Sequence, residues 1–267
     1  DLYKTFSLPL NNKSLCQWHD MLLGYRSDLD KVGAYRTHKE AMQIVSGAIH
    51  EPKIHFEAPP SSEVSKEMKV FVKWFNESRP SKENPLPALT RAALAHLYFV
   101  SIHPFEDGNG RIARALAEKS LAQSINKPTL IALAYTIEKE RKEYYLALEK
   151  NNKHNEITDW LIYFSETVIE AQVNTQKRIE FIIEKTKLFN KLAGNINQRQ
   201  EKVLKRMFHE GIDGFKGGLS ASNYKSITGA PPATVTRDLK DLVEKGALFK
   251  TGELKSSRYH LNLNKSS

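Results

Sequence analysis

The side chains best suited to chemistry are concentrated in residues 101–114, which run SIHPFEDGNGRIAR. A histidine opens this stretch, an acidic pair and a Gly-Asn-Gly turn follow, and two arginines close it. His103 is the side chain here that can accept a proton near neutral pH without a large shift of its pKa. Asp107 offers hard oxygen ligands of the kind that Mg2+ prefers. This combination suits the handling of a nucleotide's phosphates.

The glycines and arginines of this stretch predict an anion site at a helix N-terminus. Gly108 and Gly110 end one helix, allow the next to begin, and let the backbone approach a phosphate closely. The first turn of a helix presents unpaired N–H groups and a positive dipole end, which favour an anion. Asn109 adds an amide donor. Arg111 and Arg114 are three residues apart, so they share one helix face and can both bind phosphate oxygens.

A solvated helix junction is the alternative explanation for these residues, with Asp107 as a charge at the helix N-terminus. Each residue taken singly fits that explanation, because motif matches include false positives. Taken together, at this spacing and between two predicted helices, the residues favour the functional interpretation.

The stretch resembles the signature of the Fic family, H-x-F-x-[D/E]-G-N-G-R-x-x-R. Every specified position is matched, by His103, Phe105, Asp107, Gly108, Asn109, Gly110, Arg111 and Arg114. The resemblance implies transfer of AMP from ATP to a hydroxyl group of a target protein, which can be the chain itself. The related Doc toxins have a lysine at the position of Gly110 and transfer phosphate, so Gly110 favours AMP transfer.

The resemblance also implies a role for each of these side chains. The phosphates of ATP would bind the loop of residues 108–110, and Mg2+ would bridge them to Asp107. Arg111 would hold the β- and γ-phosphates, while Arg114 either holds the γ-phosphate or pairs with an inhibitory glutamate. His103 would take the proton of a Ser, Thr or Tyr hydroxyl of the target.

The inhibitory glutamate of Fic proteins lies in a helix with the motif S/T-x-x-x-E-[G/N], which these residues do not contain. Either that helix lies upstream of residue 1, or the enzyme is regulated in another way. If the helix is absent, we expect unrestrained self-modification.

The elements that position the signature are predicted to be mainly helical. Residues 86–100 are apolar nearly all round, as in a buried helix, and residues 111–123 combine helical spacing with strong helix formers. Residues 44–56 contain short alternating runs separated by turn residues, which predict a small β-hairpin. In Fic proteins a flap at this place lies over the active site and aligns the target segment by strand addition, and the resemblance carries that role to the hairpin.

Two tyrosines in the predicted helix of residues 137–151 are candidates for the wall of a nucleotide site. Tyr144 and Tyr145, with Leu148, resemble the Fic segment whose aromatic and apolar side chains enclose the adenine and ribose. A base stacks well on an aromatic face. Core packing with a solvated hydroxyl end explains one of the two tyrosines equally well.

The pattern changes after a polar connector at residues 187–200. We therefore predict a Fic catalytic domain in residues 1–195 and a second domain in residues 196–267. Three short helices, a tight turn and two strands joined by a loop are predicted there, an order that resembles a winged helix-turn-helix. Basic residues outnumber acidic ones in this part, which holds most of the formal net charge of +9. An excess of this kind favours a polyanionic partner.

Residues 233–245 occupy the position of the recognition helix in this resemblance. The side chains that could face a DNA groove or its phosphates are Thr234, Thr236, Arg237 and Lys240. The helix also carries acidic residues that dilute its charge, namely Asp238, Asp241 and Glu244. DNA binding and a structural or protein-binding role therefore both stay open.

The composition limits the cellular setting. One cysteine, Cys16, excludes an internal disulfide framework and fits a reducing compartment, so we expect a cytoplasmic location. No apolar run approaches the length of a membrane span, so no membrane partner is expected. Fic proteins of this architecture often form dimers, and the resemblance therefore implies a homodimer as a further expectation.

Two other functions stay open at this point. One is a DNA-binding transcriptional regulator whose Fic domain acts as a sensor or removes AMP. The other is a Fic enzyme with a different donor or a different reaction, such as phosphate transfer. The complete signature argues against a silent domain, because drift would be expected to alter His103 first.

Overall fold

The structure is a computed structural model that describes residues 2–48, 51–80, 85–152 and 155–263. It divides into two compact units, Asp1–Asn174 and Thr175–Ser267. The described residues form helices and two short antiparallel hairpins, which confirms the predicted mainly α fold. None of the helices in the described residues is long and apolar enough to span a membrane.

The first unit is built around two helices that flank the signature. Its elements are α1 (Leu2–Thr5), α2 (Asn12–Leu23), β1 (Gln43–Ala48), β2 (Glu51–Glu57), α3 (Ser61–Glu77), α4 (Ala88–Ile102), α5 (Asn109–Ile125), α6 (Leu133–Lys139) and α7 (Arg141–Asn151). Helices α4 and α5 pack closely against each other. The long helix α8 (Thr158–Leu192) follows, and the division between the units lies inside it.

Apolar side chains on both sides of the α4–α5 pair hold it in place. One core joins this pair to α2 and α3 and includes Leu15, Phe71, Phe75, Phe99 and Ile112. The other joins the pair to α6, α7 and the first part of α8 and includes Leu97, Leu121, Ile137, Trp160 and Phe164. The helix predicted for residues 86–100 is therefore confirmed as α4, and it is buried because it is packed on both sides.

The predicted hairpin of residues 44–56 is confirmed by the antiparallel pair β1 and β2. Ile44 lies opposite Phe56 and Val45 opposite Ile54, so a bulge interrupts the register between Ile44 and Val45. The backbone N–H of Ala58 donates to the carbonyl of Met42 and closes the base of the hairpin. Residues 49–50 lie outside the described residues. The role of the hairpin as a flap stays a prediction.

The second unit contains the elements that the sequence predicted for its end. They are α9 (Gln198–His209), α10 (Ala221–Thr228), α11 (Pro232–Glu244), β3 (Leu248–Thr251) and β4 (Arg258–Leu261). Strands β3 and β4 pair antiparallel, and Leu219 adds a bridge to Tyr259. This is the order that a winged helix requires, and the assignment of the unit to that class stays a proposal.

The end of α8 belongs to the core of the second unit, where Leu188 and Leu192 pack with Val203, Leu204 and Phe208. The compact units therefore divide within α8, whereas the sequence analysis placed the domain boundary between residues 195 and 196. The boundary between residues 195 and 196 concerns which segments fold independently, and it stays a prediction.

A buried histidine lies at the centre of the second core of the first unit. His96 contacts the rings of Trp160 and Phe164, with centroid distances of 5.6 and 4.9 Å, and its Nε2 lies 2.9 Å from the hydroxyl oxygen of Tyr144. Burial lowers the pKa of His96 to about 3, so the ring is neutral at physiological pH.

Protonation of His96 is expected to make stability depend on pH. The pKa of this ring is about 3 in the folded chain and 6.5 ordinarily, so the unfolded chain binds the proton more readily between these values. The free energy of unfolding therefore falls as the pH falls, by about 2 kcal/mol from pH 7 to pH 5 for this group. We expect His96→Gln to lose that part of the pH dependence in urea unfolding. An equal dependence in both proteins would contradict this assignment.

Candidate active site

Helix α4 ends at His103, where the backbone turns into the left-handed region with φ 50° and ψ 57°. This conformation is uncommon for a residue other than glycine, and it persists where neighbouring groups hold it. The Nδ1 atom lies 3.3 Å from the carbonyl oxygen of Val100. Because a carbonyl can only accept, this contact places the proton on Nδ1 and leaves a lone pair on Nε2. Burial lowers the pKa of His103 to about 4, so the imidazole is neutral at physiological pH and can act as a base.

The side chain of Asn109 holds the signature loop closed from inside. Its Oδ1 accepts the backbone N–H of Phe105 at 3.0 Å, and its Nδ2 donates to the carbonyl of Phe105 at 2.7 Å. Phe105 is fully buried and packs on Tyr35 and Phe99, as expected of an anchor. The amide that the sequence analysis assigned to a phosphate is therefore used within the loop. The backbone N–H of Asn109 is the group left for an anion.

Glycine suits positions 108 and 110 of the loop for different structural reasons. Gly108 is the residue before α5 and has φ 80°, and a Cβ there would lie 3.0 Å from Cδ1 of Leu23. Gly110 lies in the first turn of α5, where a Cβ would lie 3.4 Å from Nη1 of Arg114. The N–H groups of this turn have no acceptor within the helix. They form the candidate phosphate site.

Charged side chains surround this turn. Asp107 is half-exposed, and its Oδ2 lies 3.2 Å from Nη1 of Arg26 and 3.4 Å from Nη2 of Arg111. Its Oδ1 accepts the N–H of Gly108 at 2.6 Å. Arg114 has no ion pair within the described residues and lies near Glu118 on the same helix. Burial raises the pKa of Glu118 to about 7, and Arg114 opposes this shift.

The arrangement fits a magnesium ion that arrives with a nucleotide. Among the residues that the structure describes, no group of three or more His, Cys, Asp or Glu side chains could hold a metal by itself. Mg2+ commonly binds one or two carboxylates together with phosphates and water, and the half-exposed carboxylate of Asp107 suits that mode. Phosphates would compete with Asp107 for Arg111. Asp107 as the metal ligand stays a prediction.

Two residues that the sequence analysis did not single out support the loop. His19 on α2 accepts the N–H of Gly33 at its Nδ1, so its Nε2 donates to the carbonyl of Asp107 at 3.2 Å. Its ring stacks on Phe105 with a centroid distance of 4.1 Å. Arg36 donates to the carbonyl of His103 at 2.7 Å. The available sequence signal for His19 is its position on the buried face of an amphipathic helix; Arg36 lies in a connector with no such pattern.

A pocket of about 760 Å3 lies beside His103, between the β1–β2 hairpin, the end of α4, and helices α6 and α7. This volume is in the range of small-molecule sites, roughly 300–1,000 Å3. Phe56, Ser101, Arg141 and Tyr145 are among its lining residues. Val100 also lines it, and its carbonyl accepts from Nδ1 of His103, which itself is not a lining residue.

The structure separates the two tyrosines that were predicted to wall a nucleotide. Tyr145 lines the pocket and is 45% exposed, which fits the predicted role. Tyr144 is buried in the core with its hydroxyl on His96, which fits the core-packing alternative, and its role at the nucleotide site stays a prediction. The two side chains differ because adjacent residues of a helix point about 100° apart.

Comparison with known families identifies this helix–loop–helix. Residues 9–121 match the model of the Fic/DOC family, and this segment contains the complete signature. Residues 9–121, here called the Fic/DOC domain, are therefore similar to that family. All eight signature residues lie between the end of α4 and the first turns of α5, as the sequence predicted.

Curated relatives resemble the Fic/DOC domain and some of the chain beyond it. A protein adenylyltransferase Fic of Nematostella vectensis is 29% identical over 160 residues, which are 60% of this chain and 32% of that protein. Its counterpart in Drosophila ananassae is 30% identical over 146 residues, 55% of this chain and 25% of that protein. The chain thus spans about a third or less of the length of these relatives.

Solved structures support the fold around the Fic/DOC domain. A Fic family protein from Desulfovibrio desulfuricans G20 aligns with a TM-score of 0.53 and 19% identity over 99% of this chain and 73% of that chain. A Fic domain containing signaling protein from Bacteroides thetaiotaomicron aligns with a TM-score of 0.51 and 24% identity over 63% of each chain. At these identities the likeness concerns the fold alone.

The two loop glycines of the Fic/DOC domain provide a matched test. Gly108→Ala forces a side chain into a left-handed conformation and against Leu23, so we expect a loss of about 1–2 kcal/mol of unfolding free energy. Gly110→Ala meets the flexible end of Arg114 and favours the helix, so we expect no loss, or a gain of up to about 1 kcal/mol. Urea unfolding of both variants measures the difference. Equal losses would show that the loop conformation differs from the one described.

Proposed function

We propose that this chain is a protein adenylyltransferase, which transfers AMP from ATP to a Ser, Thr or Tyr hydroxyl of a target protein and releases pyrophosphate. One observation carries the proposal: a neutral histidine with a lone pair on Nε2 lies just before a helix N-terminus suited to an anion. A base and a phosphate site are the two parts that this reaction requires from the protein.

The reaction would use the loop residues in distinct roles. Nε2 of His103 would accept the proton of the target hydroxyl while the hydroxyl oxygen attacks the α-phosphorus. The bond from the α-phosphorus to its bridging oxygen breaks, and pyrophosphate leaves. The first-turn N–H groups of α5, with Arg111 and Arg114, would hold the phosphates. Bound Mg2+ would supply neutralisation of phosphate charge, and Asp107 would be its ligand. Positioning and charge stabilisation would account for most of the rate.

The pocket beside His103 is our candidate for the adenine and ribose. Its volume suits a nucleoside, and Tyr145 would provide an aromatic face for the base. The edge of the β1–β2 hairpin would align an extended target segment through main-chain hydrogen bonds, which place little demand on the target's sequence.

The names of the relatives support this proposal over its rivals. The Nematostella and Drosophila proteins are named protein adenylyltransferases. Gly110, where a lysine is expected for phosphate transfer in the Doc group, favours the same reaction. A sensory or AMP-removing domain is the alternative. A homodimer and a cytoplasmic location remain expectations from the sequence.

Label transfer from ATP tests the proposal directly. With Mg2+ and a cell lysate, we expect label from α-labelled ATP but not from γ-labelled ATP, on lysate proteins or on the chain itself. His103→Ala should lower transfer at least about a hundredfold, because it removes the base. His96→Gln, which changes a buried histidine inside α4, should retain transfer. Label from γ-labelled ATP would indicate phosphate transfer. No label from either form of ATP would favour the alternative of a DNA-binding transcriptional regulator.

We propose DNA binding by the second unit as a second function. Two acidic side chains of α11 that would repel DNA are buried or paired. Asp238 is buried and accepts hydrogen bonds from Arg199 at 2.9 Å and from the hydroxyl of Tyr224 at 3.1 Å. Asp241 bonds to Lys245 and Gln200. Two of the acids that were expected to dilute the charge of the helix are thus neutralised or turned inward.

The side chains left on the exposed face of α11 have the chemistry of a DNA contact. Thr236, Arg237 and Lys240 are exposed, whereas Thr234 is half-buried. Lys240 pairs with Glu244 at 3.6 Å, an exposed contact that contributes little and that a phosphate could replace. We therefore propose Arg237 and Lys240 as phosphate contacts of this unit.

Binding of the full chain to duplex DNA at several salt concentrations tests this second proposal. If both residues contact phosphates, Arg237→Ala with Lys240→Ala should weaken binding and reduce the slope of log K against log salt by about 2. Lys205→Ala, an exposed lysine of α9 that pairs with Glu201, is the matched control and should change the slope little. Absence of binding by the wild-type chain would favour a structural or protein-binding role.

A further inference from the structure

The guanidinium group of Arg36 is almost completely buried, at 1% exposure, beside the proposed base. It donates to the carbonyl of His103 at 2.7 Å, the carbonyl of Pro59 at 2.6 Å, the hydroxyl of Ser61 at 2.9 Å and the carbonyl of Ile102 at 3.4 Å. The backbone N–H of Arg36 also donates to the carbonyl of Pro104 at 2.9 Å. Every one of these acceptors is uncharged.

A buried cation with uncharged partners is a costly way to fill space. Burial lowers the pKa of Arg36, which reflects the cost of removing its charge from water. An apolar side chain of similar size would often stabilise a core at least as well. The hydrogen bonds of Arg36 therefore indicate a function that packing alone does not supply.

The first part of that function concerns the turn at His103. The last carbonyls of a helix have no partner within the helix, and a cation near them also interacts favourably with the helix dipole. Arg36 binds the carbonyls of three consecutive residues, Ile102, His103 and Pro104. These contacts lie on both sides of the left-handed turn and hold a conformation that histidine rarely adopts alone.

The second part concerns the base of the β1–β2 hairpin. Pro59 lies between β2 and α3, and Ser61 is the first residue of α3. The bond from Ala58 to Met42 closes the hairpin one residue before Pro59. The same guanidinium group therefore binds the turn of His103 and the chain that leaves the hairpin. A displacement of either would strain the other.

We propose that Arg36 is a positioning residue, which holds the turn that aims the imidazole of His103 and fixes this turn to the base of the hairpin. This inference rests on the proposed transfer reaction, in which His103 is the base and the hairpin aligns the target. Arg36 acts through His103 and the backbone. Its charge also lowers the pKa of His103, after the larger effect of burial, and so helps to keep the ring neutral.

Variants of Arg36 and of a second buried arginine separate positioning from general stability. Arg91 is equally buried and also donates to uncharged groups, among them the carbonyl of Phe75 and the hydroxyls of Ser78 and Ser120, but not to residues 101–114. Arg36→Gln should lower kcat of AMP transfer by about 10- to 100-fold, because the base is misplaced, and any rise in KM for ATP should be smaller, because the hairpin supplies only part of the pocket lining. Arg91→Gln should reduce Tm without this loss of kcat, measured well below Tm.

Arg36→Lys supplies the second variant if Arg36→Gln does not fold. A lysine keeps the charge but cannot reproduce the planar fork that reaches several carbonyls, so we expect a kcat between those of the wild type and the glutamine variant. Equal kcat in the wild type and both Arg36 variants would overturn the inference, as would an equal fall in Arg91→Gln.

Nitrogen-15 NMR of the His103 side chain, without nucleotide, gives a measure that does not depend on the reaction. The wild-type chain should show a single neutral form with the proton on Nδ1, and Arg36→Gln should show a mixture of tautomers. Unchanged His103 signals in that variant would also overturn the inference. If the wild type transfers no AMP while the NMR difference is present, the proposed function fails and the positioning of His103 by Arg36 stands.

Discussion

The left-handed turn at His103 is the constraint on which the site depends. Ending α4 in this conformation turns the chain toward α5, so that the imidazole precedes the unpaired N–H groups of the next helix. A residue held in such a region costs about 1–3 kcal/mol and persists when its surroundings determine it several times over. Arg36 binds the carbonyls on either side of the turn, and Asn109 clamps Phe105 two residues later. The strain is thereby confined to the residue that would perform the chemistry.

Electrostatics around the loop favour a polyanion and a neutral base at the same time. Burial lowers the pKa of His103, and the charge of Arg36 lowers it further, so the ring is kept neutral. The first turn of α5 adds the positive potential that favours an anion. Arg111 shares Asp107 with Arg26, and Arg114 has no carboxylate partner in the described residues. In the proposed reaction, Arg114 would be available to phosphate oxygens and Arg111 would exchange Asp107 for them.

Buried polar contacts also organise the second unit, where they join its helices. Asp238 is a buried acid whose partners come from α9 and α10 as well as from the segment before α9, including Asn197, Arg199 and Tyr224. Its charge is therefore used to join the helices of this unit and is absent from the exposed face of α11. What remains exposed on that helix is more basic than its composition suggests.

The amino-acid sequence by itself determined the signature, the helices on either side of it, the hairpin and the order of elements in the second unit. These follow from local spacing and turn residues, because periodicity and glycine positions act over a few residues. Tertiary structure decided which way side chains face. Tyr144 is in the core and Tyr145 in the pocket, the amide of Asn109 faces inward, and Arg36 reaches a carbonyl 67 residues away in the chain. Which face of α7 enters the core and which carbonyls Arg36 reaches depend on how distant segments pack, and no local pattern in the sequence encodes that.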